Sequence, residues 1–145
     1  MRSQLRTLAL VFTLVANVWC KKENNDCKGV ELEDNWRLLV GIEARPKREE
    51  CVKKSKVGDM LSVHYIAHYY KTCEIFDSTR DREPFQFVLG QNMVIPGFDD
   101  GLIGMCEGEV RKISVPSKLS YESSLGGQRA PGLVYRVELV KISSL

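Results

Sequence analysis

The chain combines several segments of period-two alternation with a single convincing helix start, and this imbalance constrains its fold more than any other feature. Alternation of apolar and polar residues is typical of antiparallel strands that have one face on a core and one face in water. The strand-like segments are WRLLVGIEA, MLSVHYIAHYY, PFQFVL, VRKISV and LVYRVELV. The sequence therefore predicts five half-buried antiparallel strands, the first of which begins at Trp36.

The one convincing helix begins at Pro96, because proline is well suited to the first helical position. Asp99 and Asp100 follow, beside the positive end of the helix dipole, and Gly101 and Gly104 keep the helix short. A two-turn helix is marginal in isolation, so the strands must enclose it. We expect an α+β fold in which a five-stranded antiparallel half-barrel sheet wraps around one short helix.

The first twenty residues have the order of a secretory signal peptide. Two arginines precede an apolar stretch from Leu8 to Val15, and polar residues follow Cys20. The apolar stretch is short of the ~20 residues that a membrane-spanning helix needs, so we expect a cleaved signal peptide. A membrane anchor and a buried first helix are the alternatives.

The remaining length of the chain suits one domain. The whole chain has 145 residues, 43% of them hydrophobic, which is enough for one compact core and too little for two ordinary domains. The stretch after the signal peptide is charged and poor in apolar residues, which predicts a mobile arm. The expected divisions are a signal peptide at 1–20, an N-terminal arm at 21–35 and one domain at 36–145.

The net charge and the cysteine content restrict the classes of binding partner and the cellular compartment that the sequence predicts. Cleavage after Cys20 removes two basic residues and no acidic residue, so 21 basic and 19 acidic residues become 19 and 19. A neutral chain without a basic cluster argues against binding of nucleic acid, and after cleavage we expect no membrane contact. An exported protein keeps its disulfides, and spacing alone allows three pairings of the four remaining cysteines, which are Cys27, Cys51, Cys73 and Cys106.

The order of several short motifs resembles one known family. F-D-S is followed by P-F-x-F-x-L-G, V-I-P-G-F-D-D-G-L, G-E-x-R-K and L-V-Y-x-V-E-L-V. This order resembles the FKBP-type peptidyl-prolyl isomerases, the immunophilins that bind tacrolimus and rapamycin. The resemblance covers residues 36–142 and is densest over 58–142, where M-C-E-G-E at 105–109 is similar to the secretory-pathway branch of the family.

The resemblance implies an FKBP-like fold and a peptidyl-prolyl cis-trans isomerase that assists the folding of exported proteins. Such an enzyme works without a cofactor or a metal, in the lumen of the endoplasmic reticulum or outside the cell. Its implied partners are proline-containing polypeptides and macrolides such as tacrolimus and rapamycin. We expect the protein to be a monomer.

The resemblance also implies a binding pocket lined by aromatic and aliphatic side chains. Phe98 would form its floor under the proline ring, and the Ile95 N–H and the Tyr121 hydroxyl would donate hydrogen bonds to carbonyls of the bound peptide. Taken singly, each aromatic residue is also explained by core packing. The implied catalytic residues are Tyr65, Phe76, Asp77, Phe85, Val94, Ile95, Phe98, Tyr121 and Tyr135.

The polar residues near this pocket have simpler explanations too. Asp77 corresponds to the buried carboxylate of the family, which pairs with an arginine, here Arg80 or Arg82; otherwise it forms an ordinary ion pair in a turn. His64 and His68 lie on one face of a strand, but no third ligand accompanies them, so a metal site is not expected.

The family's secretory branch pairs two cysteines that correspond to Cys51 and Cys106, which leaves Cys27 and Cys73 as a second pair. The loop ESSLGGQRAPG after Tyr121 is shorter than is usual in the family. The alternative function is therefore a non-catalytic FKBP-like binding module or chaperone with a weakened active site.

Overall fold

The computed structural model of this chain describes residues 37–120 and 131–144. The predicted signal peptide at 1–20 and the predicted arm at 21–35 lie outside these residues. The described part of the chain forms strands β1 (Leu39–Ala44), β2 (Asp59–Tyr69), β3 (Ile75–Ser78), β4 (Phe85–Val88), helix α1 (Pro96–Gly101), β5 (Val110–Val115), a 3-10 turn (Ser117–Leu119) and β6 (Leu133–Ser144).

All six strands belong to one antiparallel sheet in the order β1-β5-β6-β2-β3, with β4 also paired to β2. Strand β6 pairs along the whole of β2 on one side, from Asp59 to Tyr69. Strand β3 pairs with 66–68 and β4 pairs with 60–63, so both must lie on the other side of β2. Because β3 and β4 pair with different parts of the same side of β2, the sheet has six strands but is five strands wide.

The predicted α+β architecture is confirmed, and one strand was missed. Strand β3 has only four residues, IFDS, none of which is fully buried. Four residues without apolar alternation carry no strand signal in the sequence. The strand forms because it follows β2 through a short turn and pairs with the free side of β2.

The prediction that β1 is half-buried is wrong, since all six of its residues are exposed. Leu39, Val40 and Ile42 are among the exposed large hydrophobic residues. Within the part of the chain that the structure describes, β1 is an edge strand and pairs only with β5. Helix α1 packs against β5, so β1 lies beyond the strand that the helix covers.

The alternation predicted for β2, β5 and β6 is confirmed and builds the core, whereas in β4 only the second of the two phenylalanines is buried. Leu61, Val63 and Ala67 of β2 are fully buried, as are Ile113 and Val115 of β5. Every second residue of these strands points to the same face of the sheet, which is the face that α1 covers. The core therefore lies between the sheet and the helix.

Helix α1 begins where the sequence predicts, with Pro96 at its first position and Ile95 as the N-cap residue. The helix approaches β5 closely because two of its positions are glycines. A Cβ on Gly101 would lie 2.7 Å from Ile113 Cγ2, and a Cβ on Gly97 would overlap the side chain of Val115. No helix in the described residues is long and apolar enough to cross a membrane.

Candidate active site

A cavity of about 460 Å³ lies between the sheet and the start of α1. Strands β2, β3, β4 and β6 supply five of its twelve lining residues, the segment that leads into α1 and the first turn of α1 supply six, and Ser120 supplies the last. Eight of the nine residues implied by the family resemblance line this cavity, while Tyr121 lies outside the described residues. The lining residues are Tyr65, Phe76, Asp77, Phe85, Asn92, Met93, Val94, Ile95, Pro96, Phe98, Ser120 and Tyr135.

Phe98, in the first turn of α1, is 3% exposed and is surrounded by other aromatic rings. Its ring centroid lies 4.9 Å from that of Tyr135, 5.8 Å from that of Phe87 and 5.9 Å from that of Tyr65. The contacts with the two tyrosines are edge-to-face, the geometry that aromatic quadrupoles favour. The packing fixes Phe98 at the base of the cavity.

The other rings form the wall and the rim. Phe85 is 37% exposed and lies edge-on to Tyr65, with the centroids 6.1 Å apart. The Phe85 ring also stacks on the ring of Phe87, with the centroids 5.5 Å apart. Phe76 meets Tyr135 edge-on at 6.3 Å. An apolar ligand of moderate size would therefore meet aromatic surface on several sides.

Asp77 is the only carboxylate among the lining residues that the structure describes. The Tyr65 hydroxyl donates to Asp77 Oδ2 at 2.5 Å, and Arg82 Nη2 donates to Asp77 Oδ1 at 2.6 Å. The Ser78 N–H also donates to Oδ1, at 2.8 Å. Of the two arginines considered in the sequence, Arg82 is the one that forms the ion pair with Asp77.

These contacts lower the pKa of Asp77. The hydrogen bond from Tyr65 is the largest cause, and it outweighs desolvation, which acts in the opposite direction; Ser78 and Arg82 lower the pKa further. The expectation of a buried carboxylate is wrong, because the Asp77 side chain is 42% exposed. It lies on the short strand β3, at a wall of the cavity that is open to water.

Ile95 presents a backbone group to the cavity. Its carbonyl accepts the N–H of Phe98 at 3.0 Å and the N–H of Asp99 at 3.1 Å, which starts the helix. Among the described backbone hydrogen bonds, none uses the Ile95 N–H. An extended residue that precedes a helix leaves its N–H outside the helical hydrogen bonds, so this donor is available to a ligand.

Four lining residues were missed by the sequence analysis: Asn92, Met93, Pro96 and Ser120. Met93 is exposed at the rim, and its sulfur accepts the Val88 N–H at 3.4 Å. The Ser120 hydroxyl is buried, and none of the residues that the structure describes forms a hydrogen bond with it. Isolated Asn, Met and Ser residues carry no periodic signal. The only indication in the sequence that Asn92 and Met93 belong to the site is that they lie just before the helix start at Pro96.

The two histidines on β2 take part in local hydrogen bonds. His64 Nδ1 lies 3.1 Å from the hydroxyl of Thr79, and His68 Nδ1 lies 3.3 Å from the carbonyl of Cys73. Thr79 is buried and also accepts the Tyr65 N–H at 2.9 Å. His64 therefore supports the turn that follows β3 and His68 supports the turn that precedes it, and no group of three potential metal ligands occurs in the described residues.

The end of α1 is attached to the segment that precedes β2. Cys51 and Cys106 form a disulfide with a Cα–Cα distance of 5.4 Å, as the family resemblance implies. Ser55 Oγ donates to the Leu102 carbonyl at 2.5 Å and accepts the Met105 N–H at 2.8 Å. These contacts join two regions that are about fifty residues apart in the chain.

A second disulfide was predicted between Cys27 and Cys73, and Cys27 lies outside the described residues. Cys73 is itself disulfide-bonded.

Comparison with known protein families identifies the fold. The family model of the FKBP-type peptidyl-prolyl cis-trans isomerases matches residues 51–140. The chain belongs to this family. The matched range of this FKBP starts at the disulfide cysteine Cys51, includes α1 and ends in β6, so it contains every described residue that lines the cavity.

Individual relatives of this FKBP agree with the family assignment. FK506-binding protein 2B of Rhizopus delemar is 46% identical over 110 residues, which are 73% of this chain and 53% of the relative. Peptidyl-prolyl cis-trans isomerase FKBP2 of Homo sapiens is 41% identical over 113 residues, which are 76% of this chain and 78% of the relative. FK506-binding protein 2 of Dictyostelium discoideum is 40% identical over 111 residues, which are 74% and 81% of the two chains.

The matched region spans about half the length of the Rhizopus relative. It spans more than three quarters of the human and Dictyostelium relatives.

Proposed function

We propose that this FKBP accelerates rotation about Xaa-Pro peptide bonds in exported polypeptides while they fold. The observation that carries the proposal is the convergence of eight implied residues on one aromatic cavity with Phe98 at its base. Membership of the isomerase family, and relatives that are named peptidyl-prolyl cis-trans isomerases, support the same activity.

The reaction breaks no covalent bond. Amide resonance resists rotation with a barrier of roughly 18–20 kcal/mol. Resonance separates charge, so an apolar surrounding weakens the planar form relative to the twisted form, which has lost that separation. Each ~1.4 kcal/mol of preferential stabilisation of the twisted amide gives a tenfold rate increase. A cavity that binds the twisted form selectively is therefore sufficient for catalysis.

The lining residues have complementary roles in this proposal. Phe98 supports the proline ring from below, and Tyr65, Phe76, Phe85, Val94 and Tyr135 enclose it. The Ile95 N–H donates to a carbonyl of the bound peptide, and the Tyr121 hydroxyl donates to another.

Asp77 orients the ligand from the open wall of the cavity. Its ionised carboxylate is held in place by Tyr65 and Arg82, so its position is fixed before a peptide binds. Preorganised polar groups stabilise a reacting amide at lower cost than mobile groups do.

The proposed ligands and compartment follow from the same features. The ligands are proline-containing polypeptides and macrolides such as tacrolimus and rapamycin, and the protein acts as a monomer. The disulfide between Cys51 and Cys106 suits an oxidising compartment. We assign the protein to the endoplasmic reticulum lumen or to the secreted fraction, with residues 1–20 as signal peptide, 21–35 as arm and 36–145 as the isomerase domain.

A coupled assay on an Xaa-Pro peptide tests the proposal. The purified protein should accelerate isomerisation, and tacrolimus should inhibit it. A pair of variants with similarly exposed side chains, 59% and 57%, tests the location of the site. Met93→Ala, at the rim, should lower kcat/KM several-fold, while Ile75→Ala, outside the cavity, should leave it unchanged.

Two results would reject the proposal. One is a rate equal to that of the uncatalysed peptide, which would leave a non-catalytic binding module. The other is acceleration that neither tacrolimus nor the Met93→Ala variant alters, which would place the activity elsewhere.

A further inference from the structure

Arg111, on β5, is the buried cation nearest to the end of helix α1. Its side chain is only 9% exposed. The Nη1 atom donates to the carbonyls of Gly101 and Ile103, both at 2.9 Å. The last carbonyls of a helix have no partner within the helix, and a cation at this end is favourable. Arg111 therefore satisfies the carbonyls at the C-terminal end of α1.

Glu109 holds Arg111 in this position. Arg111 Nε donates to Glu109 Oε1 at 2.6 Å, and the Glu109 side chain is 1% exposed. The other carboxylate oxygen accepts the Cys106 N–H at 3.2 Å and lies 3.8 Å from Nε of Arg45. The guanidinium thus bridges the helix end and the buried carboxylate beside the disulfide.

Strand β5 contacts α1 along its length through alternate residues. Arg111 binds the carbonyls at the end of the helix, and Ile113 and Val115 pack against its two glycines. Phe98 lies between these glycines, at 97 and 101. The ring has no polar group, so its placement depends on van der Waals contacts and on the position of the helix backbone.

We propose that Arg111 is a positioning residue for the isomerase pocket, which it serves by fixing the C-terminal end of the helix that carries Phe98. This inference rests on the proposed function, because it assumes that Phe98 contacts the proline ring. Arg111 itself lies outside the cavity lining. Small displacements of a group that contacts the reacting centre reduce the rate strongly.

The test must separate positioning from stability. Arg111→Met leaves the buried Glu109 with only the exposed Arg45, 3.8 Å away, as a cationic neighbour, which lowers the free energy of unfolding. The double variant Glu109→Gln/Arg111→Met removes this buried charge and so recovers much of that loss, but the carbonyls of Gly101 and Ile103 still lack their donor. Arg111→Lys is a further variant, which keeps the charge and loses the planar fork.

The outer face of the sheet offers a matched control. Arg136 Nε donates to Glu43 Oε2 at 2.6 Å, the same separation as in the buried pair. Arg136 is half-exposed, and within the part of the chain that the structure describes it forms no hydrogen bond with α1. Arg136→Met and Glu43→Gln/Arg136→Met therefore remove an ion pair of the same length, exposed rather than buried, without affecting the helix.

Each variant is measured for unfolding in denaturant, for kcat/KM on an Xaa-Pro peptide and for amide hydrogen exchange. The exchange readout compares the N–H groups of Asp99 and Leu102, which bond to Ile95 and Asp99, with those of the β2–β6 ladder. We expect the double variant at 109 and 111 to keep a roughly tenfold lower kcat/KM and faster exchange in α1, despite its recovered stability. Arg111→Lys should show both defects in a milder form, and the control pair should show neither.

The inference is overturned if kcat/KM of the double variant returns with its stability, because Arg111 would then be purely structural. It is also overturned if exchange in α1 changes no more than exchange in the β2–β6 ladder. An inactive wild-type protein would reject the proposed function instead, and the exchange measurement would still decide whether Arg111 holds α1.

Discussion

Two neighbouring phenylalanines of β4 show how residues of one type serve different purposes. Phe85 is partly exposed at the rim of the cavity, while Phe87 is buried below it, and their rings stack. The alternation in PFQFVL predicts that both rings point to one face. The alternation does not predict that Phe85 lies at the rim of a cavity and is partly exposed to solvent.

We expect Phe85→Ala to reduce activity and Phe87→Ala to reduce stability. Loss of an aromatic contact worth about 1–1.5 kcal/mol lowers kcat/KM by about tenfold, whereas truncation of a buried phenylalanine costs about 3–5 kcal/mol of unfolding free energy. Peptide isomerisation and denaturant unfolding measure the two effects. Equal losses of stability in both variants would contradict this division.

Asp77 is the residue whose environment the sequence predicts least well. The motif F-D-S identifies it, and the resemblance implies an arginine partner. Its exposure, the choice of Arg82 and the hydrogen bond from Tyr65 depend on where β2 and β3 lie relative to each other.

The lowered pKa of Asp77 makes part of the stability depend on pH. Since the pKa is lower in the folded chain than in the unfolded chain, the ionised carboxylate stabilises the fold above about pH 4, and this contribution is lost as the pH falls through the folded-state pKa. Tyr65→Phe removes the largest cause, so the pKa of Asp77 should rise. Tyr69→Phe, on the same strand, is the control, and NMR titration of the carboxyl carbon is the measurement. An unchanged Asp77 pKa in Tyr65→Phe would refute the assignment of Tyr65 as the main cause.

Among the elements, α1 was predicted at its observed start because proline and acidic residues mark a helix N-terminus locally. Strand β3 and the exposure of β1 were not predicted. The pairing of β3 depends on the free side of β2, and the exposure of β1 depends on how far α1 extends across the sheet. Neither is a property of the segment's own residues.

The close approach of α1 to β5 predicts that Gly101→Ala is destabilising. The added methyl group would lie 2.7 Å and 2.8 Å from two carbons of Ile113. Overpacking of this kind costs about 1–3 kcal/mol, which exceeds the gain of up to about 1 kcal/mol in helix propensity. Displacement of the helix should also lower kcat/KM.

Gly41→Ala is the matched control, because a Cβ on Gly41 would meet only the Lys112 carbonyl at 3.8 Å. Denaturant unfolding compares the two variants. A Gly101→Ala protein as stable as the Gly41→Ala protein would show that β5 can accommodate the methyl group.

At the scale of the whole molecule, the disulfide between Cys51 and Cys106 closes a loop with a sequence separation of 55 residues. We expect Cys51→Ala/Cys106→Ala to lower the free energy of unfolding by about 2–4 kcal/mol, mainly through the unfolded chain. Substitution is preferable to reduction, because Cys73 is also disulfide-bonded. Coincident unfolding curves for the wild type and the double variant would contradict the expectation.

The sequence by itself determined the properties that depend on neighbouring residues. Apolar alternation placed the buried faces of β2, β5 and β6, and Pro96 placed the start of the helix. The order of motifs carries the resemblance to a known family, and that resemblance implied the eight described residues of the cavity. The alternation and the helix start are local signals, so they can be read without knowledge of the fold.

Only the tertiary structure decided which groups meet across long sequence separations. The hydrogen bonds of Ser55 to the segment after α1, the exposure of Asp77 and the bridge that Arg111 forms between the helix end and Glu109 all arise where separate segments pack together. Burial and hydrogen-bond partners are properties of the assembled core. A residue pattern indicates which side of a strand faces the core, but it does not indicate which residues of other segments pack against that side.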